Sequence, residues 1–573
     1  MKEPTMNLKR RGLFILLFLI TSLATYAQDL DLKPVTSTYV IKNVNIIQAP
    51  GRKIDMGAIV IKDGIITSVG KNVSVPADAM VIEADSMYVY AGFIEGVSHT
   101  GIPQPKEEGR GRGRNSDVKD PGNPPNDVAG IEPEKSVTDL LSTTEKSIAD
   151  MRELGFTAAH VVPFGKMLPG KGSVILLSGE SADDMLYKKE ISLFSQLDGA
   201  PGVYPSTVMA VMAKYRELYR QAKESKSYST LYTKDPAGMT RPSSDRVLEA
   251  FYPVIDKQVP VAFKAEDVLD IERVLKLKND LGFNLILTEV KQGWDLTNKI
   301  KASQAKVFLS LDLPELKEEK ADSVQSDSTE VKVEEKTAED IEREQLEERK
   351  KQMILNYYKQ PALFTKQGIQ FGFSTLEVKS KDVKSTLLKL IENGFTEDQA
   401  LAALTTTPAS ILGVSSSMGT VDNGKLANLV ISDKPYFDKE SHVRFVFVDG
   451  TMYEYEAKAK KNGKSGKGVD AKGKWSYSTD TPQGKVSGVI TLTGEPGDYS
   501  GAITNSTTGE STDLTDVVVD GNTFSFAFTV DTGGETLPIT FSVQIDGDTF
   551  EGSMTAGSYG SFPVEGERVP EKR

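Results

Sequence analysis

Cysteine is absent from the 573 residues, and histidine occurs three times, at His99, His160 and His442. Without cysteine there is no disulfide framework, no thiolate metal site, no cysteine nucleophile and no cysteine-linked lipid anchor. Three histidines cannot build a four-histidine metal pair. No Gly-x-Ser-x-Gly elbow accompanies the many serines, so a Ser-His-Asp hydrolase is not indicated. Long apolar runs are also scarce. The run from Leu13 to about Leu23 stands alone, and it is shorter than the ~20 residues a spanning helix needs. The formal charge of -13 argues against a phosphate-backbone partner, so no nucleic-acid binding is expected. Against that balance, Gly109–Arg114 (GRGRGR) reads as a flexible loop with solvated arginines.

What is present at the N-terminus is a secretion signal. Lys9, Arg10 and Arg11 precede the apolar run, and Thr25-Tyr26-Ala27 offers small residues before Gln28. Residues 1–27 therefore read as a signal peptide, with no membrane contact expected beyond it. Export without cysteine points to a bacterial periplasm, or to a secreted protein.

From Tyr39 to Ala91 the pattern is short strands and tight turns, with Asp63-Gly64 between apolar runs as a hairpin signal. Similar strands return at Gly424–Ile431 and Val443–Gly450. Between them, strands alternate with helices. The strand candidates are Thr157–Val162, Val174–Ser178, Pro260–Lys264, Asn284–Thr288, Lys306–Ser310 and Ile369–Ser374. Helices are expected over Ser136–Leu154, ended by Gly155, and over Asp267–Leu281, ended by Gly282. Thr396 and Gln399 read as a capping box. Alternation over this length predicts parallel strands with crossover helices, an α/β fold with a TIM-like (β/α)8 barrel. Two charged inserts, 104–135 and 315–352, interrupt it. The second starts as a disordered run and becomes a solvated helix from about Ala338. A Lys- and Gly-rich linker, 457–472, leads to residues 473–573, where Phe524, Phe526, Phe528 and Val530 alternate strictly. That tail is expected to be a separate β barrel or sandwich.

Ala91-Gly92-Phe93-Ile94-Glu95-Gly96-Val97-Ser98-His99 resembles the Pro-Gly-Phe-Ile-Asp-x-His-x-His segment of the amidohydrolase superfamily. Thr406–Val414 and Met418–Val430 resemble two later segments of that superfamily, and the spacing is similar to its imidazolonepropionase and prolidase-like branch. The resemblance covers about Tyr39 to Tyr455. It implies a barrel over 91–409 and a composite β-sandwich assembled from 28–90 and 410–456. It also implies a divalent metal, usually zinc, held by histidines at the barrel mouth, with an aspartate that moves the proton.

At those positions this chain departs from the pattern. Val97 replaces the first histidine, and Lys264-Ala265-Glu266 stands where the branch has His-Ala-His. The next strand's histidine falls near Thr288 or Glu289. The late aspartate falls at Leu376, beside Glu377. Val97 has no lone pair to give a metal. Four glutamates, Glu95, Glu266, Glu289 and Glu377, would suit a harder cation, although Lys264 would repel it. Lys264 is expected to pair with Glu266 or Glu95, or else to hold an anionic ligand. His160 reads as a core histidine. Gly165–Gly172 nearly spells a P-loop but has Gly172 where Ser or Thr is needed, and a strand follows it.

The expectation is thus an exported amidohydrolase-like protein with no metal or other cofactor and no assured catalytic residue. Its remnant or remodelled pocket would be His99, Glu95, Lys264 and Glu266. It would act as a binding or partner subunit for a small molecule or peptide, as a homo-oligomer or beside an active paralogue. Two alternatives stand beside it. One is an active hydrolase of dipeptide or non-peptide C–N bonds, with zinc or another divalent metal in a remodelled site. The other is a carbohydrate- or peptide-binding protein working through the C-terminal β domain.

Overall fold

The computed structural model describes residues 38–105, 118–315, 338–455 and, with short gaps, 471–569. The signal segment 1–27, the GRGRGR stretch with the rest of 106–117, most of the second charged insert and most of the linker lie outside the described residues. Two compact parts emerge, residues 1–456 and 457–573.

The first part opens on β1 (Thr38–Ala49), β2 (Arg52–Lys62), β3 (Ile65–Gly70), β4 (Met80–Glu83) and β5 (Tyr88–Ala91). The Asp63-Gly64 hairpin forms as expected, with both residues at positive φ. Far along the chain come β14 (Leu429–Ser432), β15 (Val443–Val448) and β16 (Thr451–Glu454). β14 pairs antiparallel with β5, so both flanks of the barrel segment join one eight-stranded sheet. Its core is aliphatic: Ile41, Val44, Ile59, Ile61, Val89, Leu429 and Ile431 are buried together.

Between the flanks lies a second eight-stranded sheet of β6 (Phe93–Ser98), β7 (Phe156–Val161), β8 (Gly170–Leu176), β9 (Leu186–Ser195), β10 (Val261–Lys264), β11 (Leu285–Val290), β12 (Lys306–Ser310) and β13 (Phe371–Ser374). β13 returns beside β6, where Thr375 N–H donates to the Val97 carbonyl at 3.0 Å. The barrel class expected from alternation is present, with one strand reversed. β8 runs antiparallel to both β7 and β9. The links on either side of it are too short for a parallel crossover, which needs a dozen or more residues, so the chain turns back as hairpins.

Local signals were faithful where a cap was strong. Asp267 caps the helix Val268–Leu281, and Gly282 ends it at φ 81°. Thr396 and Gln399 form the expected capping box. The helix expected over Ser136–Leu154 is shorter, a 3-10 turn at Val137–Asp139 and then Lys146–Glu153. The described end of the first insert is not a free loop: Ile131 and Ser136 bridge to Leu168 and Lys171. The second insert's helix starts at Ala338 and runs to Lys366.

The C-terminal part is an all-antiparallel meander from β17 (Gly473–Thr481) to β25 (Ser561–Arg568), which pairs back onto β17. β20 (Ser511–Asp513) and β21 (Thr515–Asp520) are two halves of one strand, one paired with β19 (Asp498–Asn505), the other with β22 (Thr523–Asp531). That broken strand closes a barrel. Trp475, Phe524, Phe526, Phe541 and Phe550 fill its interior, so it is a packed core and no ligand cup. Ala471 and Lys472, linker by composition, already belong to it: the Trp475 indole donates to the Ala471 carbonyl, and Arg568 donates to that of Lys472.

Gly96 makes the seam between β6 and β13 possible. A Cβ there would lie 2.1 Å from Phe308 and 2.5 Å from the Phe373 carbonyl. Gly96→Ala should therefore destabilise the barrel by about 2–3 kcal/mol, seen as a lower urea midpoint. An unchanged midpoint would show that the seam has slack.

Candidate site at the barrel mouth

The C-terminal ends of the parallel strands carry the charged side chains, as barrel geometry dictates for functional groups. Lys264 ends β10, Glu266 follows two residues later, Lys291 follows β11, Asp312 follows β12 and Glu377 follows β13. Lys264 Nζ lies 2.9 Å from Glu266 Oε1 and 2.5 Å from Glu377 Oε1. Lys291 Nζ lies 3.2 Å from Glu266 Oε2, 2.8 Å from Glu377 Oε2 and 2.7 Å from Asp312 Oδ2. Glu266 and Glu377 each bridge both ammoniums, so four side chains form an alternating ring of charge. Asp312 adds a third carboxylate, which leaves the network with one net negative charge.

Burial opposes the charge on both lysines, yet their carboxylate partners raise each ammonium above the ordinary lysine value. Burial also pushes Glu377 upward, but the hydrogen bonds from Lys264 and Lys291 win and hold it below the usual carboxylate value. Both ammoniums stay protonated throughout the neutral range, so neither serves as a base or an amine nucleophile there.

Beneath the ring lie two sealed carboxyls. Glu95 is buried, accepting hydrogen bonds from Ser98 Oγ (3.0 Å) and Thr375 Oγ1 (2.7 Å). Burial raises its pKa. Glu289 is buried too, and accepts from the hydroxyls of Ser310 and Ser374. It sits in the left-handed region at φ 59°, where the β11–β12 register slips between Leu287 and Val290. Such a bulge re-aims one side chain at the cost of local strain, here turning a carboxyl into the barrel. Burial lifts its pKa to about 7.

His99 Nδ1 lies 2.7 Å from the Val162 carbonyl, and its ring stacks on Phe164 at 3.7 Å. A carbonyl only accepts, so Nδ1 carries the proton. Burial, with help from Lys264, brings its pKa down to about 4. His160 is a core histidine: Nδ1 donates to the Gly96 carbonyl and Nε2 accepts from Ser192 Oγ at 2.7 Å.

The expected pocket of His99, Glu95, Lys264 and Glu266 is therefore divided into levels. Lys264 and Glu266 pair as anticipated. Glu95 is not Lys264's partner, because its oxygens are taken by hydroxyls below the ring. Glu377 completes the ring instead, and Lys291 and Asp312 were not foreseen. Nor do Glu95, Glu266, Glu289 and Glu377 converge on one point. Among the described residues no three His, Cys, Asp or Glu side chains are grouped to share an ion.

An amidohydrolase family model matches residues 366–460, from the end of β13's preceding helix through β16. An amidohydrolase from Thermotoga maritima MSB8 superposes with a TM-score of 0.58 at 20% identity, covering 73% of this chain and 100% of that one. The chain therefore has the fold of an amidohydrolase, and residues 366–460 are similar to that family in sequence. Two further solved structures, a prolidase complexed with N-methylphosphonate-L-proline and a Xaa-Pro dipeptidase with bound methionine, match at 14% identity and a TM-score of 0.42. Each covers 73% of this chain and 100% of its own. No curated protein matches the sequence.

Glu289 gives this amidohydrolase-fold protein a pH signature. Its folded pKa lies above the unfolded carboxyl value of 4.5, so the folded state binds the extra proton. The stabilisation is complete below that unfolded value and is lost as pH rises to about 7. Glu289→Gln should flatten this dependence, removing about 3 kcal/mol of pH-linked destabilisation between pH 4.5 and 8. Denaturant titrations at stepped pH read it; equal slopes in both proteins would refute the assignment.

Proposed function

We propose that this is an exported amidohydrolase-fold protein that has relinquished metal-dependent hydrolysis and works as a binding or partner subunit. The observation that carries the reading is the pair of ammoniums, Lys264 and Lys291, at the strand ends from which the superfamily draws metal ligands. A divalent metal does not fit this donor set. Val97 has no lone pair, two fixed positive charges hold Glu266 and Glu377, and hydroxyls hold Glu95 and Glu289. An ammonium also has no vacant orbital with which to lower the pKa of a bound water, the step on which metal-dependent hydrolysis rests. Ligand or partner recognition, by a small molecule, a peptide, another copy or an active paralogue, is the role that the fold retains.

The purified mature protein, expected to begin at Gln28, should contain no stoichiometric zinc or manganese. It should also show no chelator-sensitive turnover of cyclic amides, dipeptides or esters. Bound metal that sustains hydrolysis and leaves with a chelator would end this reading. Metal-free turnover abolished by Glu266→Gln would replace it with the remodelled hydrolase.

One observation favours a second reading. The C-terminal barrel carries an open groove of about 690 Å³ lined by Ser478, Ser542, Gln544, Glu551 and Glu565, polar groups suited to a carbohydrate or an extended peptide. This part has its own closed sheet and core, so residues 457–573 can be tested alone. Glycan or peptide binding that persists in that fragment supports the reading, and binding confined to the full chain counts against it.

A further inference from the structure

The charged ring is layered by depth. Its two ammoniums are the more buried members, with Lys264 18% and Lys291 17% exposed, whereas Glu266, Glu377 and Asp312 are 36%, 32% and 47% exposed. A molecule arriving from solvent therefore meets a carboxylate layer first, with the lysine charge beneath it. The five groups together carry one net negative charge. The mouth thus favours a positive visitor even though both of its own ammoniums are paired.

Two acceptors at this level have no donor among the described residues. Glu266 and Glu377 each commit both oxygens to the lysines, but Asp312 commits Oδ2 alone, which leaves Oδ1 open. His99 gives its proton to the Val162 carbonyl, which leaves the Nε2 lone pair open on a ring that is partly exposed. That imidazole is near enough to Lys264 and Glu377 for both charges to act on it. A carboxylate oxygen and a neutral imidazole nitrogen without a proton only accept, so the matching ligand must donate. The stacked His99 and Phe164 rings, both partly exposed, add an apolar face beside these acceptors.

This combination selects one chemical class. A carboxylate ligand would meet the outer layer with like charge, and a neutral ligand would gain nothing from the net charge. A metal ion is not matched either, because the carboxylates do not gather on one point. A protonated organic amine brings one positive charge together with N–H donors, and so answers both the charge and the open acceptors. We infer that the barrel mouth binds an organic ammonium ligand, held by the outer carboxylate layer through Asp312 and by the Nε2 lone pair of His99. The inference rests on the binding reading above and names the ligand class for that same site.

The test titrates the full-length mature chain calorimetrically, at neutral pH in EDTA, with benzylamine, benzyl alcohol and benzoate. These probes share one aromatic frame and differ in charge. Benzylamine should bind saturably and about tenfold or more tighter than the other two, and its affinity should fall as NaCl is raised. Asp312→Asn keeps the side-chain shape and removes the net charge of the network, and should weaken benzylamine about tenfold. Absence of saturable benzylamine binding overturns the inference, and so does equal affinity for all three probes. An unchanged benzylamine affinity in Asp312→Asn overturns it as well, by placing the amine elsewhere on the chain. Should that variant fail to fold, His99→Phe keeps an aromatic ring against Phe164 and removes the acceptor; unchanged affinity there equally overturns the inference. All of these outcomes leave the proposed function standing, because that reading falls to metal-supported or Glu266-dependent turnover.

Discussion

Everything at the barrel mouth depends on one electrostatic constraint: carboxylates gathered from separate strand ends must be neutralised where water is limited. Lys264 and Lys291 do this from side chains only 18% and 17% exposed. At such burial the desolvation cost of the charges is offset only by short, multiple contacts. Each ammonium accordingly has at least two carboxylate partners, and Glu266 and Glu377 use both their oxygens. Because the partners sit on four strands, the ring also ties β10, β11, β12 and β13 together where the ladders end. Deleting Lys291 would leave Asp312 without its ammonium partner and Glu266 and Glu377 with one each, which costs more than the pairs contribute.

Below the ring the same problem has a different solution. Among the described residues Glu95 and Glu289 form no ion pair, and they rely on hydroxyls from Ser98, Thr375, Ser310 and Ser374. Hydroxyl donors are weaker than ammoniums, so burial dominates and both carboxyls titrate high. Ser374 and Thr375 are adjacent on the last strand, and each serves a different glutamate. Through them, the strand that closes the barrel against Gly96 and Val97 also seals its two internal acids. Closure of the fold and satisfaction of its buried charge are one event.

Much of the fold was legible because it rests on local rules. Asp267 and Gly282 bracket a helix by capping alone, and Asp63-Gly64 turns a hairpin by its tolerance of positive φ. The reversed β8 was not legible, since direction depends on link length against neighbours that a one-dimensional pattern does not name. β9 was missed because its first half, around Lys188, Lys189 and Glu190, is exposed and charged and hides the apolar half that follows. At the site, the Lys264–Glu266 pair could be read from their separation of two, which puts both on one side of an extended segment. Glu377 is 113 residues from Lys264 and Lys291 is 86 from Glu377, so only the barrel's closure reveals the ring. The bulge that buries Glu289 leaves no mark in the sequence, where a glutamate near a strand end reads as solvent-facing.

Val97 and the lysines make different contributions to this arrangement. Val97 offers no donor and leaves no unpaired charge, and its aliphatic side chain simply joins the apolar core. Lys264 and Lys291 have a consequence that Val97 lacks, because without them Glu266, Asp312 and Glu377 would face one another as three like charges. Repulsion at contact distance in a half-buried site would spread the very strand ends that the barrel must bring together. A neutral replacement at position 264 or 291 would therefore leave these carboxylates short of a counter-charge, whereas a lysine brings one with the chain. On this physical ground the two lysines, more than Val97, are what allow the barrel to keep its acidic mouth together.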